Sequence, residues 1–222
     1  MICFDSPPLI GYNILVEPCG RTGGVRDEIG GITVILFVNA CVREQSRTKR
    51  LADSLLSILQ GTAEEVRLRE IVFPAVDEAF LQRRERLIGE GKFEDPLFRY
   101  ARQFSEASQI VIAAPYWDLS FPAALKQYLE QVSVPGITFT YTQDGLPKGL
   151  CAAERLFYVT TAGGLYVPEA YGFGYVEALC RDLFGIRQAE LIRAAGLDLD
   201  GADAENILRE SIREIIEHYG RR

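Results

Sequence analysis

Three uninterrupted apolar runs set the limits on what this chain can fold into. Ile32-Thr-Val-Ile-Leu-Phe-Val-Asn39, Ile110-Val-Ile-Ala-Ala-Pro115 and Leu156-Phe-Tyr-Val-Thr-Thr161 are short, and rich in β-branched and aromatic residues. Such runs are strands buried on both faces, and a sheet covered on both faces is parallel, with helical crossovers. The segments between them supply the helices. Leu51, Leu55, Ile58 and Leu59 share one face between Ser46 and Gln60. Pro96–Ala107, Pro122–Val132 and Tyr175–Phe184 are also amphipathic, and Pro122 suits a helix start. Asp203 caps a last helix whose stripe is Ile207, Leu208, Ile212, Ile215, Ile216 and Tyr219. Glu64–Phe73 alternates with period two, as an edge strand does, and Glu190–Ala194 is a short fifth strand. Asp77–Ile88 reads as a charged helical insert, and 136–149 as a hairpin turning at Gln143-Asp144-Gly145. The expectation is an α/β fold: a doubly wound five-stranded parallel sheet in the order 2-1-3-4-5, with helices on both faces.

Residues 1–31 stand apart, with six glycines and three prolines. Ordering such a segment by itself costs too much backbone entropy. It is expected to be a flexible N-terminal extension, an artefact of an upstream start, or an arm packed on a partner subunit. Residues 32–222 are expected to form the functional domain.

Charge and residue usage remove whole classes of function. Lys and Arg number 24 against 31 Asp and Glu, a net charge of −7, with no basic cluster. Nucleic acid and anionic membrane surfaces are therefore poor partners. No apolar run approaches the roughly 20 residues that span a bilayer. The single histidine, His218, sits near the C-terminus, which argues against Ser-His-Asp and Cys-His catalysis and His-rich metal sites. No metal site is expected. Cys3, Cys19, Cys41, Cys151 and Cys180 are scattered, with no C-x-x-C pair, and read as reduced thiols in a cytoplasmic protein. The first residues have neither the basic start nor the apolar stretch of a secretory signal.

In such sheets ligands bind beyond the carboxyl ends of the strands, where strand order reverses. Three loops should meet there. In the first, Ser46 and Thr48 open a helix whose free N–H groups favour an anion, and Arg43 and Arg47 add charge. Neither G-x-x-x-x-G-K-[ST] nor G-x-G-x-x-G is present, which leaves a terminal monophosphate. Ser46 also reads simply as an N-cap with solvated arginines beside it. The second loop, Pro115-Tyr-Trp-Asp-Leu-Ser-Phe-Pro122, puts Tyr116, Trp117, Leu119 and Phe121 between a strand and a helix. That much apolar area on a loop suits a flat aromatic ligand or a subunit interface, and Asp118 and Ser120 also fit as caps for the next helix. The third, Thr160-Thr-Ala-Gly-Gly-Leu-Tyr166, has two glycines whose N–H groups can face a carbonyl or ring nitrogen, although a Gly-Gly is also an ordinary turn. A phosphate site, an aromatic wall and backbone donors together match the three parts of flavin mononucleotide.

Ile112-Ala-Ala-Pro-Tyr-Trp-Asp-Leu-Ser-Phe-Pro-Ala-Ala-Leu-Lys126, Gly136-Ile-Thr-Phe-Thr-Tyr141 and Thr160-Thr-Ala-Gly-Gly164 resemble the FMN-dependent NADH:quinone oxidoreductase and azoreductase family. The resemblance runs from about Ile32 to the last helix and is densest between Ile110 and Gly164. It implies a flavodoxin-like fold, non-covalent FMN, NADH or NADPH as donor, a quinone-like or azo acceptor, and a homodimer with the active site at the subunit interface. It also implies that Ser46, Arg47 and Thr48 match the phosphate-binding Ser-x-Ser. Pro115, Tyr116, Trp117, Asp118 and Leu119 fall at the isoalloxazine, and Thr161, Ala162, Gly163 and Gly164 in the second flavin loop. Tyr166 lies at the substrate mouth, a weak candidate for a proton donor. No other side chain is expected to be catalytic, because hydride chemistry is carried by the flavin.

The chain departs from the family's common pattern in three places. Cys41-Val42-Arg43 stands where Ser-Pro-Arg is common, which removes a hydroxyl. Asp118 replaces a common Asn, and Thr161-Ala162 a frequent Ser-Arg. Two rival functions remain: a flavodoxin-type electron carrier, and a flavin-free binding or regulatory protein suggested by Cys41. The insert 74–93 and the hairpin are expected to enclose a pocket, which a carrier would leave open.

Overall fold

The computed structural model describes residues 33–220, so the expected extension at 1–31 lies outside the described residues. The order of elements is β1 (Val34–Asn39), α1 (Arg47–Leu56), β2 (Thr62–Arg67), α2 (Glu78–Gly89), α3 (Arg99–Glu106), β3 (Gln109–Ala113) and α4 (Ala123–Val132). There follow β4 (Phe139–Tyr141), β5 (Pro147–Gly149), β6 (Arg155–Thr161), α5 (Phe173–Leu179), β7 (Gln188–Ala194) and α6 (Ala204–Tyr219). Five strands form one parallel sheet in the order β2-β1-β3-β6-β7, which is the expected 2-1-3-4-5 winding. β4 and β5 make a separate antiparallel hairpin.

The continuous apolar runs exist because each central strand feeds two cores. Leu36, Val38, Ile110, Ile112, Leu156 and Tyr158 face one way, against Phe104, Leu125, Tyr128, Leu129 and Phe184 from α3, α4 and the end of the α5 segment. Ile35, Phe37, Val111, Phe157 and Val159 face the other way, against Leu51 and Leu55 of α1 and Leu208 and Ile215 of α6. The α6 stripe is narrower than its sequence suggests, since Ile216 is exposed.

Two elements differ from expectation for local reasons. The second strand begins at Thr62 and stops at Arg67, not Phe73. It is an edge strand whose only partner among the described residues is β1, and that partner ends at Asn39, opposite Arg67. With nothing left to pair, the chain folds into a 3-10 turn at Leu68–Glu70 that buries Leu68. The Tyr175–Phe184 segment starts at Phe173 and widens after Leu179 into a π-helical turn, Cys180–Phe184, ended by the left-handed Gly185. Past that glycine the chain crosses the hairpin so closely that a Cβ on Gly149 would lie 2.1 Å from the Gly185 nitrogen.

Phe104 sits between the rings of Phe184 (centroids 5.0 Å apart) and Tyr128 (6.4 Å) with no exposure. Phe104→Ala is expected to cost about 3–5 kcal/mol of stability by urea unfolding. A loss under about 1 kcal/mol would contradict this packing.

Candidate active site

The site is built where β1, β3 and β6 end. Successive strands hand hydrogen bonds across this rim: the Ala40 N–H donates to the Ala113 carbonyl at 2.8 Å, and the Ala114 N–H to the Val159 carbonyl at 2.9 Å. The Tyr116 N–H then donates to the Thr161 carbonyl at 3.0 Å. Side chains complete the clasp. Thr48, 1% exposed in the first turn of α1, shares a 2.6 Å hydroxyl bond with the buried Thr161 at the end of β6. All three expected loops therefore meet on one lip.

Ser46 is the N-cap of α1, and its oxygen accepts from the Lys49 N–H at 3.3 Å. Lys49 and Arg50 N–H groups are thereby satisfied, the latter by the Ser46 carbonyl at 3.0 Å. The helix supplies no acceptor for the N–H groups of Arg47 and Thr48, the two that helix geometry aims outward past its start. The cap and anion-site readings of Ser46 are therefore compatible. The Thr48 hydroxyl also shares its 2.6 Å bond with Thr161, so it staples the two loops together beside the outward N–H groups. Of the nearby cations, Lys49 pairs with Asp53, Arg50 with Glu205, and Arg47 with Asp198 at 2.7 Å. Arg43 is exposed and has no carboxylate partner among the described residues.

The second loop ends in a tight turn. Trp117 and Ser120 exchange backbone bonds of 3.1 and 2.7 Å, while Asp118 and Leu119 have φ of 50° and 67°. Left-handed backbone is tolerated by Asp but costs a branched residue such as Leu about 1–2 kcal/mol. Such strain persists only where the surroundings hold it. Here the Ser120 hydroxyl donates to the Tyr171 carbonyl at 2.5 Å, and Tyr116 is pinned to Thr161. The turn leaves Trp117 42% and Leu119 47% exposed on the rim. Neither Asp118 nor Ser120 caps α4, whose N-cap is Pro122 without a side-chain bond. Pro115, half-buried, leads the chain off β3.

In the third loop, the Ala162 N–H donates to Ala194 at 2.9 Å, and its carbonyl accepts from Leu197 at 3.2 Å. Ala162 is buried and contributes shape only. The Gly163 and Gly164 carbonyls accept from Asp198 and Gly196 at 3.0 and 3.1 Å. Their own N–H groups have no acceptor among the described residues. A Cβ on Gly164 would meet nothing within 4 Å, so its bare side opens onto free space. Tyr166 stands 80% exposed beyond it. The Tyr116 hydroxyl and the Thr160 Oγ1 are both buried without a partner, and both line a cavity of about 10 Å³ beneath residues 167–173. Loss of hydration, then the nearby Tyr166 phenol, raise the Tyr116 pKa above its ordinary value.

This rim fits FMN on three counts: two outward N–H groups at a helix start for a phosphate, exposed aromatic surface for a flat ring, and an open glycine edge with free donors. The model of the flavodoxin-like fold family matches residues 33–219. The chain belongs to that family. An FMN-dependent NADH:quinone oxidoreductase of Clostridium perfringens is 32% identical over 191 residues, covering 82% of this chain and 96% of the relative. FMN-dependent NADH:quinone oxidoreductase 2 of Clostridium acetobutylicum is 42% identical over 132 residues, 57% of this chain and 64% of the relative. An azoreductase structure from Bacillus anthracis str. Sterne superposes with a TM-score of 0.70 at 25% identity, over 86% of this chain and all of that one.

Within this flavodoxin-like framework one sequence expectation changes. Cys41, which lacks the hydroxyl of the family's common serine, is only 3% exposed, and its thiol donates to the Ala113 carbonyl at 3.8 Å. Burial pushes that thiol above its usual pKa, so it stays protonated and inert. The insert and the hairpin do not enclose the rim. Arg84 of α2 donates to the Ser133 carbonyl just past the far end of α4, and Leu87 packs with Val134 and Ile137. Because α4 runs back from the rim, the hairpin and the second half of the insert lie toward the opposite end of the sheet, while Val76 and Phe80 at the start of the insert border Tyr175. Asp198 and Tyr171 were not read from the sequence, yet both brace the rim. The end of β7 opens on the same lip, which is the signal that marks Asp198. No helix among the described residues is long and apolar enough to cross a membrane.

Thr48→Val leaves the buried Thr161 hydroxyl unpaired and is expected to cost about 1–3 kcal/mol by urea unfolding. Thr48→Val with Thr161→Val, which removes both partners, is expected to be the more stable of the two variants. A double variant that adds the two losses would show that the hydroxyls are not coupled.

Proposed function

We propose that this chain is an FMN-dependent NAD(P)H oxidoreductase that passes two electrons to a quinone-like or azo acceptor. The observation that supports it most is the clasped rim, in which one lip of the sheet offers a place for each part of the cofactor. The Clostridium relatives, named as NADH:quinone oxidoreductases, give the reading its acceptor class and favour NADH as donor. When bound, FMN would supply two-electron hydride chemistry between a nicotinamide donor and the acceptor in a ping-pong cycle.

The protein's part is to bind, orient and shield. The N–H groups of Arg47 and Thr48, Ser46 and the charge of Arg43 and Arg47 hold the phosphate. Tyr116, Trp117 and Leu119 wall the ring, with Pro115 setting the loop's departure and flat acceptors stacking on the aromatics. Asp118 accepts from an N–H at the pyrimidine edge. The Gly163 and Gly164 N–H groups stabilise negative charge at that edge, positioned by the Ala162 backbone and the Thr161 staple. Tyr166 stands at the acceptor's mouth.

We read residues 32–222 as one functional domain, working in the cytoplasm as a homodimer. The support for a second copy is the apolar rim itself: Trp117, Leu119, Leu165, Tyr166 and Tyr171 are all exposed around the site. The same open rim is what an electron carrier would present.

Two measurements decide. The purified or FMN-reconstituted protein should be yellow, bleach on anaerobic addition of NADH, and consume NADH steadily when a quinone is supplied. Failure to take up added FMN would overturn the flavin reading, and a yellow protein that NADH does not reduce would leave the carrier. Ser46→Ala is expected to weaken FMN binding about tenfold, by loss of a hydroxyl and of the cap that orders the first turn. Unchanged affinity would place the phosphate elsewhere.

A further inference from the structure

We infer that Asp198 controls how much of the Arg47 charge reaches a phosphate at the start of α1, and so holds down the protein's affinity for FMN. The inference rests on the phosphate assignment proposed above. Asp198 lies four residues beyond the end of β7 and is fixed from two sides. Its N–H donates to the Gly163 carbonyl at 3.0 Å, and its Oδ1 accepts from Arg47 Nη1 at 2.7 Å. Its Oδ2 rests against Gly163 so closely that a Cβ there would lie 2.4 Å away. Glycine at 163 is thus what lets a carboxylate sit between the phosphate loop and the glycine loop.

That placement puts a negative charge beside a site read as taking a dianion. The carboxylate acts twice in the same direction: it repels the phosphate, and it occupies the guanidinium that would otherwise turn to it. Lys49 and Arg50 are also paired, with Asp53 and Glu205, but only the Arg47 partner also touches the glycine loop. Arg47 and Asp198 side chains are 38% and 68% exposed, so the pair is wet, and an incoming phosphate can draw the guanidinium away at small cost. Asp198 is a positioning residue that acts through Arg47.

The test titrates the full-length apoprotein with FMN and with riboflavin, which lacks the phosphate. The proteins compared are the native chain, Asp198→Asn, Arg47→Gln and the double variant. Asp198→Asn should bind FMN about fivefold more tightly, the size of one exposed ion pair, with riboflavin unchanged. The gain should shrink when Arg47 is already Gln, and in 0.5 M salt, where the Debye length falls to a few ångströms. A native protein that binds FMN and riboflavin equally would defeat the phosphate assignment itself. A native preference for FMN that Asp198→Asn leaves unchanged or reduces would overturn the role given to Asp198. Equal weakening of both ligands would show that Asp198 merely braces the glycine loop.

Discussion

The hydroxyl bond between Thr48 and Thr161 joins the first turn of a helix to the end of a strand that is 113 positions away in sequence. Both side chains are buried, so each needs the other: an unpaired hydroxyl there would cost about 1–3 kcal/mol. Its consequence is geometric. The start of α1 cannot drift from the glycine loop, and the Tyr116 N–H, bound to the Thr161 carbonyl, ties the aromatic loop to the same point. A parallel sheet brings the three loops to one edge; this contact fixes their spacing there. A cradle for a ligand with a charged tail and a flat head needs that spacing held before the ligand arrives.

Strain and support are arranged around the same point. Asp118 and Leu119 occupy left-handed backbone, a conformation that is costly for leucine. The fastening of Tyr116 to Thr161 and of Ser120 to Tyr171 holds the turn in place, and its product is apolar surface at the lip in place of a buried cap. Polar groups follow a similar logic. Carbonyls of Gly163 and Gly164 are used internally, while their N–H groups have no acceptor among the described residues, an arrangement suited to negative charge and not to a cation.

Much of this was legible in the chain itself, and the reasons are specific. Ile35 and Leu36 face opposite cores, so the absence of alternation in that run reported a strand covered twice, and the winding order followed. The three loops were readable because each departs from ordinary loop composition just after a buried strand. Less visible was anything set by long-range contact. Thr48 looks like a phosphate ligand by position, and its bond to Thr161 carries no mark in the sequence. Cys41 looks like a lost hydroxyl, and its place in the packed core is equally unmarked. The second strand ends early because its partner ends, a fact held in Asn39 and not in the alternation of Glu64–Phe73. Asp198 follows a weakly patterned strand and carries no motif. The insert and hairpin read as elements that enclose a pocket, whereas Leu87, Val134 and Ile137 draw them together away from the rim.

If three distant loops act as one preassembled cradle, they respond to a ligand together. Amide hydrogen exchange of the apoprotein, with and without added FMN, tests it directly. Residues 42–49, 116–120 and 161–165 should gain protection together and at the same FMN concentration. Protection confined to one of these segments, or appearing instead around α2 and the hairpin, would contradict it.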